Sequence, residues 1–175
     1  MPEPITPADL WDFAKQIAAE DGSDWESVLD PIGLLYGGDF PRYDATPTNG
    51  EVFATTGGDG VHFVFLDVPG NPVVMVVPMA FERAHIIVGG NLREFLCLGC
   101  MCGYFGLEQL AYDWIDTIEW IKDPRSSKQY PEELRLLFAL RQRFGLEPLA
   151  DPYKRLKELR GQYRDCIVVS SKNGE

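Results

Sequence analysis

The chain has 175 residues, 45% of them hydrophobic and 25% charged, which suits one soluble domain with a real core. Its formal net charge of -11 belongs to residues 1–90, where 14 Asp/Glu face three Lys/Arg, whereas residues 91–175 hold 13 of each. A pI near 4.6 argues against nucleic acid as a partner, since phosphate must be neutralised by Lys and Arg. No segment approaches the roughly 18 uninterrupted apolar residues of a membrane span, and residues 1–10 lack the basic and apolar regions of a secretory signal.

The first predicted element is a helix over 7–21. Thr6 can cap it, Pro7 suits its first position, and Asp9 completes a capping box. Leu10, Phe13, Ala14, Ile17 and Ala18 form one buried face, and Gly22 stops the helix. Residues 23–50 read as irregular loop. Trp25, Val28 and Leu29 can make one helical turn, but Pro31, Gly33, Gly37, Gly38, Pro41, Pro47 and Gly50 then interrupt the chain repeatedly.

From Glu51 the period changes to that of a sheet over 51–89. Residues 52–56, 61–67, 73–78 and 85–88 read as four strands. The glycine-rich stretch 57–60 reads as a hairpin, and Pro69-Gly70 reads as a turn. Short links make sequential strands antiparallel neighbours. Both alternating sets of residues in 61–66 and 73–77 are mostly apolar, so these strands are expected to be covered on both faces.

Helices fill 91–164. Asn91 and Glu94 open one over 92–103 that is apolar nearly all round and therefore buried. A second carries Leu107, Leu110, Ala111, Trp114, Ile115, Ile118 and Ile121 on one stripe. A third starts at Pro131, with Glu132 and Glu133 in its first turn and Arg141 and Arg143 in its last, matching the helix dipole at both ends. The fourth starts at Asp151-Pro152 and is basic, with Lys154, Arg155, Lys157, Arg160 and Arg164; it is expected to be an exposed face or a partner for the acidic half. Residues 166–169 can add a short terminal strand. The expected class is α+β: an antiparallel four-stranded meander packed by helices, with a helical C-terminal half, in a single domain over 1–175.

No catalytic constellation emerges. Cys97, Cys100 and Cys102 do not make a zinc site, because one helix would turn Cys102 away from the other two and no second C-x-x-C exists. They read as small buried residues. Four cysteines make no disulfide scaffold, so a reducing cytoplasmic setting is expected. The 57–60 loop lacks the G-K-[ST] of a phosphate cradle. His62 sits within a central strand and His85 opens another, with no elbow motif to supply a nucleophile. No cofactor and no metal are therefore expected.

Residues 55–66, TTGGDGVHFVFL, are followed by Asn91-Leu92-Arg93-Glu94-Phe95-Leu96, then Gly103-Tyr104-Phe105 and Leu107-Glu108-Gln109-Leu110. A glycine turn, a strand meander and an N-L-x-E-F-L helix resemble the SUKH superfamily, over residues 35–112. That superfamily includes bacterial immunity proteins and the yeast cell-wall-assembly regulator. The resemblance implies an α+β sheet backed by helices and a non-catalytic role in binding proteins, many of them toxins. It assigns no functional residue here, and the helical stretch beyond Pro131 is longer than the family minimum. From the charge pattern, the expected contact residues for a basic partner are Asp21, Asp24, Glu26, Asp30, Asp39 and Asp44. A regulatory or structural interaction protein without a toxin, and an enzyme of unrecognised type, are the alternatives.

Overall fold

The structure is a computed structural model that describes residues 3–124 and 129–170. Helix α1 spans Pro7–Asp21, and its N-terminus is closed as the sequence requires. The Asp9 amide donates to the Thr6 hydroxyl oxygen at 3.2 Å, and the Thr6 amide donates to the Asp9 carboxylate at 2.8 Å. The helix buries the five predicted residues and Trp11 as well.

The sheet has five strands, not four. In order they are β1 (Leu35–Tyr36), β2 (Gly50–Thr55), β3 (His62–Leu66), β4 (Val73–Val76) and β5 (His85–Gly89). Each pairs antiparallel with its sequence neighbour. The extra strand, β1, is two residues long and pairs Leu35 with Thr55 and Tyr36 with Ala54. Its shortness and the glycines around it hide it from periodicity. Every residue of β4 is buried, so both sheet faces are covered there.

One face carries Phe63 and Phe65 and receives α2 (Leu92–Gly99), whose Phe95 ring lies 4.8 Å from Phe63. A bulge between Val52 and Ala54 inserts Phe53, whose ring reaches Phe65 at 5.0 Å and Phe95 at 6.0 Å. The other face, marked by His62, Val64 and Leu66, is closed at one end by the loop 39–47. Helix α5 (Pro152–Tyr163) packs along β5, burying Leu156 and Leu159. The chain after α5 then crosses to β2, where the Thr48 amide donates to the Val168 carbonyl at 2.7 Å. These residues form no terminal strand: a 3-10 turn at Arg164–Cys166 leads into an extended tail.

The predicted helix over 92–103 ends early, at Gly99, because the chain folds back. Tyr104, fully buried, donates its hydroxyl to the Leu96 carbonyl at 2.6 Å. Its ring occupies the space that a Cβ on Gly99 would enter, 2.2 Å from Cε1. The Tyr104 amide donates to the Ile32 carbonyl at 2.8 Å, and the neighbouring Gly33 passes so close that a Cβ would meet the Phe105 nitrogen at 2.4 Å. The predicted second helix is divided. Phe105–Ala111 is 3-10, and Asp113 then caps α3 (Trp114–Lys122), accepting from the Asp116 amide at 3.0 Å. Ile115, placed on the buried stripe by its spacing, is 67% exposed as a result. Helix α4 (Pro131–Phe144) keeps its predicted ends. No helix among the described residues is long and apolar enough to cross a membrane.

Candidate functional site

All six predicted contact residues, Asp21, Asp24, Glu26, Asp30, Asp39 and Asp44, are exposed. The segment bearing them is pinned from beneath. Trp25 and Tyr36 pack edge-on at 4.9 Å, Trp11 of α1 joins both, and Lys15 lies 4.8 Å from the Trp25 ring centre. The Tyr36 amide donates to the Glu26 carbonyl at 3.0 Å. Arg42, the only Lys or Arg in 21–44, donates its guanidinium to the Pro47 carbonyl.

The six acids do not form one cluster. Asp21 lies at the end of α1, where the Ser23 hydroxyl holds its carboxyl below the usual range and Arg135 of α4 adds a smaller pull. Asp24 accepts from the Glu26 amide at 3.1 Å. Asp30 lies beside the 57–60 turn, its carboxylate 3.9 Å from where a Gly57 Cβ would stand. That turn adds Asp59, and half-buried Glu108 follows it; burial first and the Asp59 charge second raise the Glu108 carboxyl. Asp39 and Asp44 flank Phe40 and Tyr43, whose rings pack on His62 at 4.9 and 5.7 Å.

An open cleft of about 810 Å³ lies between α1 and the β2–β3 ladder. Trp11, Phe53, Phe65 and Leu92 give it an apolar lining. Glu51 and Asp67 line it too, and among the described residues no Lys, Arg or His does. Tyr36 and Gly38 join the cleft to the acidic segment. Sequence reasoning missed Glu51 and Asp67 because Glu51 reads as the residue that opens the sheet and Asp67 as the last of a strand. Glu51 pairs across the ladder with Phe65, so it belongs to the same alternating set, and a charge in that set was the available signal.

His62 is wholly buried and satisfied. A carbonyl can only accept, so Nδ1–H donates to Gly60 at 2.7 Å, leaving Nε2 to accept from the Thr46 hydroxyl at 2.9 Å. The Thr46 oxygen in turn accepts from the Tyr43 amide at 2.8 Å. Burial pushes the imidazole below its ordinary pKa, and the charges of Arg42 and His85 act in the same direction. His85 donates Nε2–H to the Ala45 carbonyl at 2.6 Å. Both histidines thus anchor the 39–47 loop.

Burial also pushes up the thiols: Cys97 rises above its ordinary value, Cys100 goes to about 11 and Cys102 to about 12. Protonated thiols are poor nucleophiles and poor metal ligands. Among the described residues no group of three or more His, Cys, Asp and Glu is arranged to hold a metal ion. Among the described residues, the basic helix α5 makes no ion pair with the acidic half. Its Arg155 pairs with Glu94 of α2 at 3.0 Å and with Glu158 at 3.4 Å.

A scan against protein-family models, a search of curated proteins and a search of solved structures each returned no match.

Proposed function

We propose that this chain is a non-catalytic protein-binding module, and that its partner is a basic protein, an immunity protein's toxin being the case that the SUKH resemblance suggests. The observation that carries the reading is the cleft beside α1. It offers an apolar lining of the kind that anchors a partner, bordered by carboxylates and, among the described residues, by no cation, and it runs into the exposed acids of 21–44. Such a surface steers a cationic partner and rejects an anionic one. The satisfied neutral histidine and the protonated thiols favour binding over catalysis.

The test is capture of partners from the native cell, followed by stopped-flow association with the captured protein. The on-rate should fall steeply with salt, because steering acts over a Debye length of about 8 Å near physiological ionic strength. Reversing Asp39 and Asp44 to Lys should slow association more than it speeds dissociation, and Glu51→Lys should add to the loss. Lys154→Glu should change little. An on-rate indifferent to salt and to the acidic reversals, or more sensitive to Lys154→Glu, would remove the acidic surface as the interface.

A further inference from the structure

A second cavity, of about 400 Å³, lies between the start of β5 and α5 and shares no lining residue with the acidic cleft. Its lining includes Arg83, Lys157 and Arg160, together with His85, Tyr112 and Trp114; Glu82 is the one acid. None of the three cations makes an ion pair among the described residues. Arg155, on the same helix, is paired twice. Lys157 and Arg160 are neighbours at i, i+3 on α5, and Arg83 enters from the β4–β5 connection, so three like charges border one cavity against the single carboxylate of Glu82.

The connection that delivers Arg83 is itself strained. Phe81 has φ 52° and ψ -104°, a conformation that a bulky residue rarely adopts, and its side chain is 80% exposed. The aromatic side of the cavity is accessible: Tyr112 is 49% exposed and Trp114 half-buried.

We infer that this cavity binds a small molecule joining a planar ring to one or two phosphates, the chemistry of a nucleoside mono- or diphosphate. Three cations lining one cavity match phosphate oxygens, through two guanidinium forks and one ammonium. Open aromatic faces match a stacking ring. The volume lies within the range of small-molecule sites. A long nucleic acid is disfavoured by the net charge of -11, which a compact ligand held inside the cavity largely avoids.

The test is calorimetric titration of the full chain with AMP and ADP as probes, beside adenosine, inorganic phosphate, pyrophosphate and a single-stranded oligonucleotide. AMP or ADP should bind saturably, at least tenfold tighter than adenosine or either inorganic anion. Arg83→Gln, Lys157→Gln and Arg160→Gln should each weaken binding roughly tenfold, the loss of about one charged hydrogen bond. The thermal midpoints of these variants should not fall below that of the parent, and Arg135→Gln on α4 should bind as the parent does. No saturable binding, binding untouched by the three substitutions, inorganic phosphate binding as tightly as the nucleotides, or preference for the oligonucleotide would each overturn the inference.

Discussion

The cleft beside α1 and the cavity beside α5 are built on one sheet and differ in sign. Among the described residues, the first is lined by Glu51 and Asp67 and by no cation, while the second gathers Arg83, Lys157 and Arg160 with one carboxylate, Glu82. Division of the chain at residue 90 approximates this contrast but does not reproduce it. Arg83 comes from the acidic half yet lines the basic cavity, and Glu94 comes from the balanced half and removes Arg155 from the free cations. Charge is sorted in space by what the fold leaves unpaired, and composition along the chain shows only part of that sorting.

The strongest way to break the contrast is to break what the two sites share. Phe95 packs on Phe63 and Phe53, beneath the sheet that both sites border. Phe95→Ala should cost about 3–5 kcal/mol in denaturant unfolding, as one transition that removes both sites together. Two separate transitions would show that the halves are independent.

Acid should act on the acidic side first, through His62. Its folded pKa lies below the unfolded value near 6.5, so the unfolded chain takes up a proton that the folded chain resists. The stability it contributes is complete above about pH 6.5 and is lost as pH falls toward the folded pKa, by about 1.4 kcal/mol per unit of depression. Unfolding measured at pH 7.5 and 5.0 should show this loss, and His62→Gln should shrink it. Asp9 and Asp21, whose carboxyls are held low by Thr6 and Ser23, lose their contribution only as pH falls below their ordinary 3.8. An equal loss in His62→Gln would place the titrating group elsewhere.

The pairing on α5 gives a finer test. A double-mutant cycle on Arg155→Met and Glu94→Gln should return a coupling of about 0.2–1 kcal/mol, since both side chains are partly exposed. Lys157→Gln and Arg160→Gln should stay within about 0.5 kcal/mol of the parent, on the stabilising side where repulsion is relieved. A coupling near zero for the first pair, or a marked loss from either of the others, would remove the distinction between paired and unpaired cations. The smallest expected effect is that of a chelator. Zinc should be absent by elemental analysis and EDTA should leave the melting curve unchanged, because the buried thiols resist the deprotonation that metal binding needs.

What the sequence disclosed, it disclosed through local rules. The Thr6–Asp9 box, the two-faced apolar pattern of β4 and the charged ends of α4 each depend on residues within a few positions of one another. Features set by distant partners stayed hidden. Strand β1 exists because Leu35 and Tyr36 meet Thr55 and Ala54, and α2 stops at Gly99 because Tyr104 returns over it. The six acids were legible as exposed charge. Their division between the end of α1, the 57–60 turn and the 39–47 loop was not, because burial and proximity across elements decide it.

The meander has a consequence for the order in which the molecule can be completed. Every strand pairs with the one beside it in sequence, so the sheet can assemble as soon as residue 89 leaves the ribosome, and α2 follows at once to close one side. The other side is completed only when α5 is made, more than 60 residues later, and its final clasp is Val168 on Thr48, 120 residues apart. At about 5–20 residues per second, that leaves the second apolar side open for several seconds in the nascent chain.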